Sequence, residues 1–112
     1  TKNMINKDRL DMLKPTCGIV NVGRQSVMDY EVMADKLNNN KLAGAILDVF
    51  THEPLDKSSR LWDTPNLILT PHVSSDDHGD YVRLTLNIFI KNLKLFFEDK
   101  ELMNQIDKKL GY

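Results

Sequence analysis

Three short apolar segments, separated by segments with helical periodicity, constrain the fold of this chain more than any other feature. The apolar segments include several β-branched residues, as buried strands do, and they cover residues 17–22, 42–49 and 66–70. Apolar residues spaced by three or four positions predict helices at residues 7–13, 29–37 and 77–97. Strands that alternate with helices and are apolar nearly throughout form parallel sheets covered on both faces. We therefore expect an α/β fold with a parallel sheet.

The composition narrows the class of protein. The 112 residues are 41% hydrophobic with a formal net charge of -1, which suits a single core of an ordinary globular protein. Basic and acidic residues are interspersed, so neither nucleic acid nor a membrane surface is favoured as a partner. The longest apolar stretch is far below the roughly 18 residues of a membrane span, and residues 1–14 lack a signal-peptide core. We expect a cytoplasmic protein.

Four ionisable residues stand just beyond the ends of the apolar segments: Arg24, Asp48, Glu53 and His72. The carboxyl ends of parallel strands meet at one edge of a sheet, where ligands bind in open α/β folds. Asn6 precedes the first helix, as an N-cap residue does, and Asp29 opens the second. The order of these residues indicates an active site at the sheet edge. Residues 50–65, which carry Glu53, show no helical period, and a connection of that length is usually functional.

The two residues nearest the first two strands have both a functional and a structural interpretation. Arg24 follows Gly23, which permits an unusual backbone angle or the close approach of a ligand. Its guanidinium could bind a carboxylate through two hydrogen bonds, or it could be a surface arginine. Asp48 interrupts an apolar run, so its carboxylate must find donors or solvent; capping a loop amide is the alternative role.

Glu53 and His72 lie next to prolines that favour extended backbone, Pro54 and Pro71. A carboxylate beside His72 would favour the cationic imidazole that a general acid requires, although a lone histidine at a strand end is often structural. His52 and His78 are expected to be solvated.

Several strings in this order resemble the D-isomer-specific 2-hydroxyacid dehydrogenases, close to the glyoxylate/hydroxypyruvate reductases. The resemblance covers the whole chain and is carried by Ile19-Val-Asn-Val-Gly-Arg24, Leu42-Ala-Gly-Ala-Ile-Leu-Asp-Val-Phe50, Glu53-Pro-Leu, Leu61-Trp and Pro65-Asn-Leu-Ile-Leu-Thr-Pro-His72. Gln25 replaces the glycine that usually follows the arginine.

The resemblance implies a role for five positions. Arg24 would bind the substrate, His72 would be the acid/base, and Glu53 would be the carboxylate that pairs with it. Asp48 would hydrogen-bond the nicotinamide carboxamide, with the main-chain carbonyl around Val22 as a second contact. No metal is implied.

The same resemblance implies a truncated Rossmann-like doubly wound parallel sheet of about three strands, with flanking helices and a long C-terminal helix. Residues 1–98 would be the C-terminal part of the NAD(P)-binding domain, including the start of that helix, and residues 99–112 a tail that returns to the substrate domain. The Gly-rich turn for the pyrophosphate would precede Thr1. Binding of NAD or NADP would then be incomplete in this chain, which we expect to be inactive alone.

The implied function is an NAD(P)-dependent oxidoreductase of small 2-hydroxy or 2-keto acids that transfers a hydride, and the full-length protein is expected to be a homodimer. One alternative is a non-catalytic, nucleotide-sensing binding module similar to the corepressors of this family. Another is oxidation of formate, which glutamine in place of Glu53 would favour.

Overall fold

The computed structural model describes residues 1–77 and 79–110, and the chain divides into two compact units that meet after Ser75. The first unit holds three strands and two α-helices, and the second holds one long helix. In chain order the elements are α1 (Lys7–Asp11), β1 (Gly18–Asn21), α2 (Tyr30–Asn38), β2 (Gly44–Leu47), β3 (Leu67–Leu69) and α3 (Tyr81–Phe97), with 3₁₀ turns at Gln25–Val27 and Arg60–Asp63. The strands form one parallel sheet in the order β1-β2-β3. The predicted fold class is confirmed.

Asn6 is the N-cap of α1, as predicted, and Asp29, which was predicted to open the second helix, is the N-cap of α2. The Asn6 side chain accepts a hydrogen bond from the backbone N–H of Arg9 at 3.1 Å, and Asp29 accepts one from Val32 at the same distance. Each bond satisfies one of the backbone donors that a helix leaves without a partner in its first turn. A short connection joins β1 to α2. Tyr30, the first residue of α2, lies next to the carboxyl edge of the sheet.

The core lies between the sheet and the two helices of the first unit. Its fully buried residues come from both helices and from β2, and they include Leu10, Met33, Leu37 and Leu47. An ion pair joins the helices, because the buried Lys36 ammonium of α2 lies 2.9 Å from the Asp11 carboxylate of α1.

The opposite face of the sheet is exposed. Val20, Ile46 and Ile68 are Cα partners across the three strands, and they are 64%, 37% and 57% exposed. Alternate residues of the same strands, such as Ala45 and Leu47, pack with the helices instead. Within the first unit the sheet is thus covered on one face only, and the expectation of two covered faces is wrong for that unit.

The connection from β2 to β3 is not structureless. Ser59 caps the 3₁₀ turn Arg60–Asp63, and the Arg60 guanidinium lies 3.1 Å from Glu31 and 2.7 Å from Asp35, both on α2. These bonds fix the second half of the connection to α2, so the part without regular structure, which carries Glu53, is shorter than the sequence suggests.

In the second unit, Asn92 of α3 fixes the chain that follows the helix. Its side chain donates to the Met103 carbonyl at 3.0 Å and accepts from the Met103 N–H at 2.7 Å. Among the residues that the structure describes, no helix is both long and apolar enough to cross a membrane. The domain boundary expected near residue 98 remains a prediction.

Candidate active site

Glu53 and His72 form a hydrogen-bonded pair at the carboxyl edge of the sheet. Glu53 belongs to the connection after β2, His72 follows β3, and their Oε2 and Nδ1 atoms lie 2.8 Å apart. The second carboxylate oxygen of Glu53 accepts the backbone N–H of Phe50 at 2.9 Å, which fixes the carboxylate to its own loop. The side chains are 37% and 43% exposed, so the pair can be reached by a small ligand. The structure therefore brings together the two residues that the sequence proposed as an acid/base pair.

The pair has a defined arrangement of protons. The hydrogen bond with His72, followed by the one from the Phe50 backbone, lowers the pKa of Glu53 below its ordinary value. Because an ionised carboxylate only accepts hydrogen bonds, Nδ1 of His72 carries the proton between the two groups. Nε2 is then the nitrogen that gains or loses a proton toward a substrate. This is the arrangement that a histidine needs in general acid/base catalysis.

Asp48 is completely buried and holds the loop that carries His72. Its Oδ1 accepts a short hydrogen bond from the Thr70 hydroxyl and another from the Val73 N–H at 2.9 Å, and its Oδ2 accepts the Ser74 N–H at 2.9 Å. The Thr70 hydrogen bond is the main reason that the pKa of Asp48 lies far below its usual range; the bonds to Ser74 and Val73 add to it and burial opposes it. The alternative role considered for Asp48, capping loop amides, is thus present in the structure.

The backbone of His72 has a left-handed conformation, with φ of 57°. Few residues other than glycine adopt this region, although histidine does so more often than most. Here the turn places the N–H groups of Val73 and Ser74 toward the Asp48 carboxylate, while the His72 N–H donates to the Thr70 carbonyl at 3.1 Å. Asp48 therefore holds the backbone turn at His72, and Glu53 holds its imidazole through Nδ1.

Arg24 lies exposed at the end of β1, in a turn closed by the side chain of Asn21. Its Nη1 donates to the Gly23 carbonyl at 2.8 Å, and Gln25 begins a 3₁₀ turn directly after it. Gly23 has no left-handed backbone angle, and a Cβ there would meet only Asn21 Oδ1 at 3.6 Å, an ordinary contact. The unusual backbone angle considered for Gly23 is therefore absent, which leaves the close approach of a ligand as its possible use.

The strand register places these groups along one edge. Asn21, Leu47 and Leu69 are Cα partners, so Arg24 and His72 each follow the end of a paired strand by three residues. Two strand spacings separate β1 from β3, roughly 10 Å. In the described part of the chain no hydrogen bond or ion pair joins Arg24 to Glu53, His72 or Asp48.

Three polar residues at this edge were missed by sequence reasoning. Asn21 and Tyr30 are buried and hydrogen-bonded to each other at 2.9 Å, and Thr70 donates to Asp48. The signal for Asn21 was a polar residue at the last position of an apolar strand, and the signal for Thr70 was a hydroxyl directly before Pro71 and His72. Tyr30 had no comparable signal, because a tyrosine in the first turn of a helix is ordinary.

A cavity of about 520 Å³ adjoins Glu53 and is lined mainly by apolar groups, including Phe50, Leu55, Trp62 and Leu69. His52 is exposed, as expected, and His78 lies outside the described residues. Over residues 1–77 and 79–110, no cluster of three histidine, cysteine or acidic side chains could hold a metal ion.

The two positions expected to contact a nicotinamide differ in how well they fit that role. Val22 is 52% exposed just beyond β1. The Asp48 carboxylate has three donors and no exposed surface. Val22 fits a cofactor contact as the structure stands, whereas Asp48 fits only if the loop after β3 moves.

The sequence profile of the D-isomer specific 2-hydroxyacid dehydrogenase NAD binding domain matches residues 1–74. A similar curated protein is glyoxylate/hydroxypyruvate reductase B of Pectobacterium carotovorum, which is 37% identical over 78 residues that cover 70% of this chain and 24% of that protein.

Two solved structures are similar over the whole chain. One is a D-isomer specific 2-hydroxyacid dehydrogenase from Xanthobacter autotrophicus in complex with NADPH and MES, with a TM-score of 0.89, 31% identity and 45% of its own chain covered. The other is an NADPH-dependent glyoxylate/hydroxypyruvate reductase from Sinorhizobium meliloti in complex with NADP and sulfate, with a TM-score of 0.87, 30% identity and 36% covered. This chain thus spans less than half the length of these proteins.

Proposed function

We propose, since this chain belongs to the D-isomer specific 2-hydroxyacid dehydrogenase family, that the intact protein is an oxidoreductase that interconverts small 2-keto and 2-hydroxy acids with NAD or NADP. The observation that carries the proposal is the 2.8 Å contact between Glu53 and His72 at the carboxyl edge of the sheet. A protonated imidazole held by a carboxylate is the proton donor that reduction of a ketone requires.

In the proposed reduction, His72 donates the proton of Nε2 to the substrate oxygen as negative charge develops there. The bound nicotinamide supplies the hydride. Glu53 stabilises the cationic imidazole before the transfer and keeps Nδ1 protonated after it. In the reverse direction neutral His72 accepts the proton through the same Nε2 atom.

Arg24 is proposed to bind the substrate carboxylate. Its guanidinium is exposed at the same edge, and no carboxylate of the described residues pairs with it. Two parallel hydrogen bonds to a carboxylate would fix the 2-keto acid with its carbonyl toward His72. The carbonyl of Val22 is proposed as a cofactor contact, and Asp48 as a second one, which becomes accessible when the loop that it holds after β3 moves.

Two further proposals follow from the family. Residues 1–98 are proposed to belong to the NAD(P)-binding domain and residues 99–112 to a tail that returns to the substrate domain. The intact protein is proposed to be a homodimer that binds its dinucleotide through additional residues not contained in this chain.

Formate oxidation is a weaker candidate, because the residue beside His72 is a glutamate. A formate carbon has no hydroxyl proton to lose, so a cationic acid held by a carboxylate has no task in that reaction. A non-catalytic, nucleotide-sensing module similar to the corepressors of this family is a further alternative. It would not require the Glu53–His72 contact or the exposed guanidinium of Arg24.

The test is a steady-state assay of the intact protein with NADH and with NADPH against glyoxylate and hydroxypyruvate, and with NAD and NADP against formate. The proposal expects oxidation of at least one reduced cofactor by a 2-keto acid and no reaction with formate. Tight cofactor binding without turnover of any of these acids would favour the binding module, and reaction with formate alone would favour formate oxidation.

A further inference from the structure

Asn21 and Tyr30 form a buried hydrogen-bonded link between the turn of Arg24 and the loop of Glu53. The Nδ2 atom of Asn21 donates to the Tyr30 hydroxyl at 2.9 Å, and that hydroxyl donates to the Val49 carbonyl at 2.9 Å. Asn21 ends β1, Tyr30 begins α2 and Val49 follows β2, so three elements meet at one hydroxyl group. Both side chains are buried, at 8% and 6% exposed.

The amide of Asn21 also shapes the turn that carries Arg24. Its Oδ1 accepts the Gly23 N–H at 3.1 Å, and its Nδ2 donates to the Arg24 carbonyl at 3.2 Å. The two N–H groups of the Asn21 amide therefore donate to the Tyr30 hydroxyl and the Arg24 carbonyl, and its oxygen accepts from Gly23. Rotation of this side chain would break its hydrogen bonds to the Gly23 N–H and the Arg24 carbonyl, so the position of the Arg24 backbone depends on it.

Tyr30 contacts the loop of Glu53 twice. Besides the hydroxyl bond to Val49, its ring packs edge to face against Phe50, with ring centroids 6.4 Å apart. The Phe50 N–H in turn donates to the Glu53 carboxylate. Movement of Tyr30 would thus be transmitted to the residue that holds His72.

The Tyr30 hydroxyl is not needed to fill the core, because phenylalanine would occupy nearly the same volume. Burial raises the pKa of Tyr30 to about 12, so the hydroxyl stays neutral and keeps donating to Val49 over the whole working range of pH. A hydroxyl group buried away from water must be hydrogen-bonded within the protein. Its two partners, Asn21 and the Val49 carbonyl, belong to segments of the proposed site.

We propose that Asn21 and Tyr30 are positioning residues that set the distance between the substrate-binding Arg24 and the Glu53–His72 pair, and so determine how well a 2-keto acid of given length is bound. This inference rests on the proposed function. Neither residue touches the reacting atoms, and each acts through the backbone that carries Arg24 or Glu53.

The test is Tyr30→Phe in the intact protein, with Tyr81→Phe, which removes an exposed tyrosine hydroxyl, as the matched control. The variant should raise KM for the 2-keto acid roughly 10-fold with a smaller change in kcat, because misplacement of a binding group weakens substrate binding first. Asn21→Ser should act on the same link, so the double variant should raise KM by much less than the product of the two single effects.

A readout that does not need turnover separates this inference from the proposed function. Hydrogen exchange should show faster exchange of the Gly23 and Phe50 amides in Tyr30→Phe, although neither amide bonds to Tyr30 itself. If the wild-type protein turns over no 2-keto acid, the proposed function fails while faster exchange at both amides still supports the link. A lower melting temperature with KM and both exchange rates unchanged would overturn the positioning role.

Discussion

Replacing Arg24 with lysine separates a substrate-binding arginine from a surface one. Lysine keeps the positive charge but loses the planar pair of donors that a carboxylate accepts in parallel. A hydrogen bond to a charged group contributes about 1.5–3 kcal/mol, and 1.4 kcal/mol corresponds to a tenfold change. Losing one of two such bonds to the substrate should therefore lower kcat/KM by about 10- to 150-fold.

The structure predicts a small effect of the same change on stability. In the described residues the side chain of Arg24 makes one hydrogen bond, to the carbonyl of its neighbour Gly23, and it is exposed. A hydrogen bond to a neutral acceptor contributes about 1 kcal/mol to the free energy of unfolding, so the melting temperature should fall by a few degrees at most. Arg9→Lys is the matched control, because Arg9 is also exposed and also donates to a backbone carbonyl, that of Met4.

Both quantities are measured on the same preparations of the intact protein: kcat/KM for the preferred 2-keto acid, and the melting temperature. We expect a large kinetic loss with near-normal melting for Arg24→Lys, and neither effect for Arg9→Lys. A clear loss of melting temperature with kcat/KM preserved would refute the substrate-binding role and leave Arg24 as a structural residue of the turn.

Three further predictions concern the pair, the core and the helices. Glu53→Gln should lower kcat for 2-keto acid reduction several-fold, because Nδ1 of His72 loses the carboxylate that orients the imidazole; an unchanged kcat would remove Glu53 from the mechanism. Leu47→Ala should lower the free energy of unfolding in urea by about 2–5 kcal/mol, whereas the exposed Met12→Ala should change it by less than about 0.5 kcal/mol. The pKa of Asp11 is lowered to about 2, chiefly by the Lys7 hydrogen bond. The ionised carboxylate therefore adds stability that is present above its ordinary pKa of 3.8 and lost as pH falls toward 2. The difference in melting temperature between wild type and Asp11→Asn should shrink over that interval.

Local signals in the sequence were sufficient for most of the fold. The strands lie within the predicted segments because each is a short apolar run. Asn6 and Asp29 cap their helices because their short side chains can accept a backbone N–H of the first turn. The exposed face of the sheet could not be predicted in the same way. A continuous apolar strand indicates burial on both faces, and whether a second layer is supplied by the same 112 residues is not a local property.

The site was only partly predictable for a related reason. The contact between Glu53 and His72 follows from their places at strand ends, which a parallel sheet brings together. The left-handed turn at His72 and the three donors on Asp48 depend on each other, because the turn exists where a buried carboxylate can accept the next two N–H groups. From the sequence, Pro71 predicts only extended backbone beside His72, whereas the structure shows that Asp48, more than twenty residues earlier, holds a left-handed turn there.

The link through Tyr30 illustrates interactions that no single segment encodes. Its hydroxyl joins residues from the ends of two strands, and neither partner is recognisable without the register that aligns them. The 3₁₀ turn at Arg60–Asp63 is similar, since the Arg60 guanidinium finds its carboxylates on α2.

The central claim is that His72 is the proton donor of a dehydrogenase, and the most direct measurement is kcat of the intact protein carrying His72→Gln. The matched control is His52→Gln, an exposed histidine of the neighbouring loop. We expect kcat for reduction of the preferred 2-keto acid to fall by about 10²-fold or more in His72→Gln with cofactor affinity unchanged, and to stay near wild type in the control. A kcat for His72→Gln within a few fold of wild type would contradict the claim.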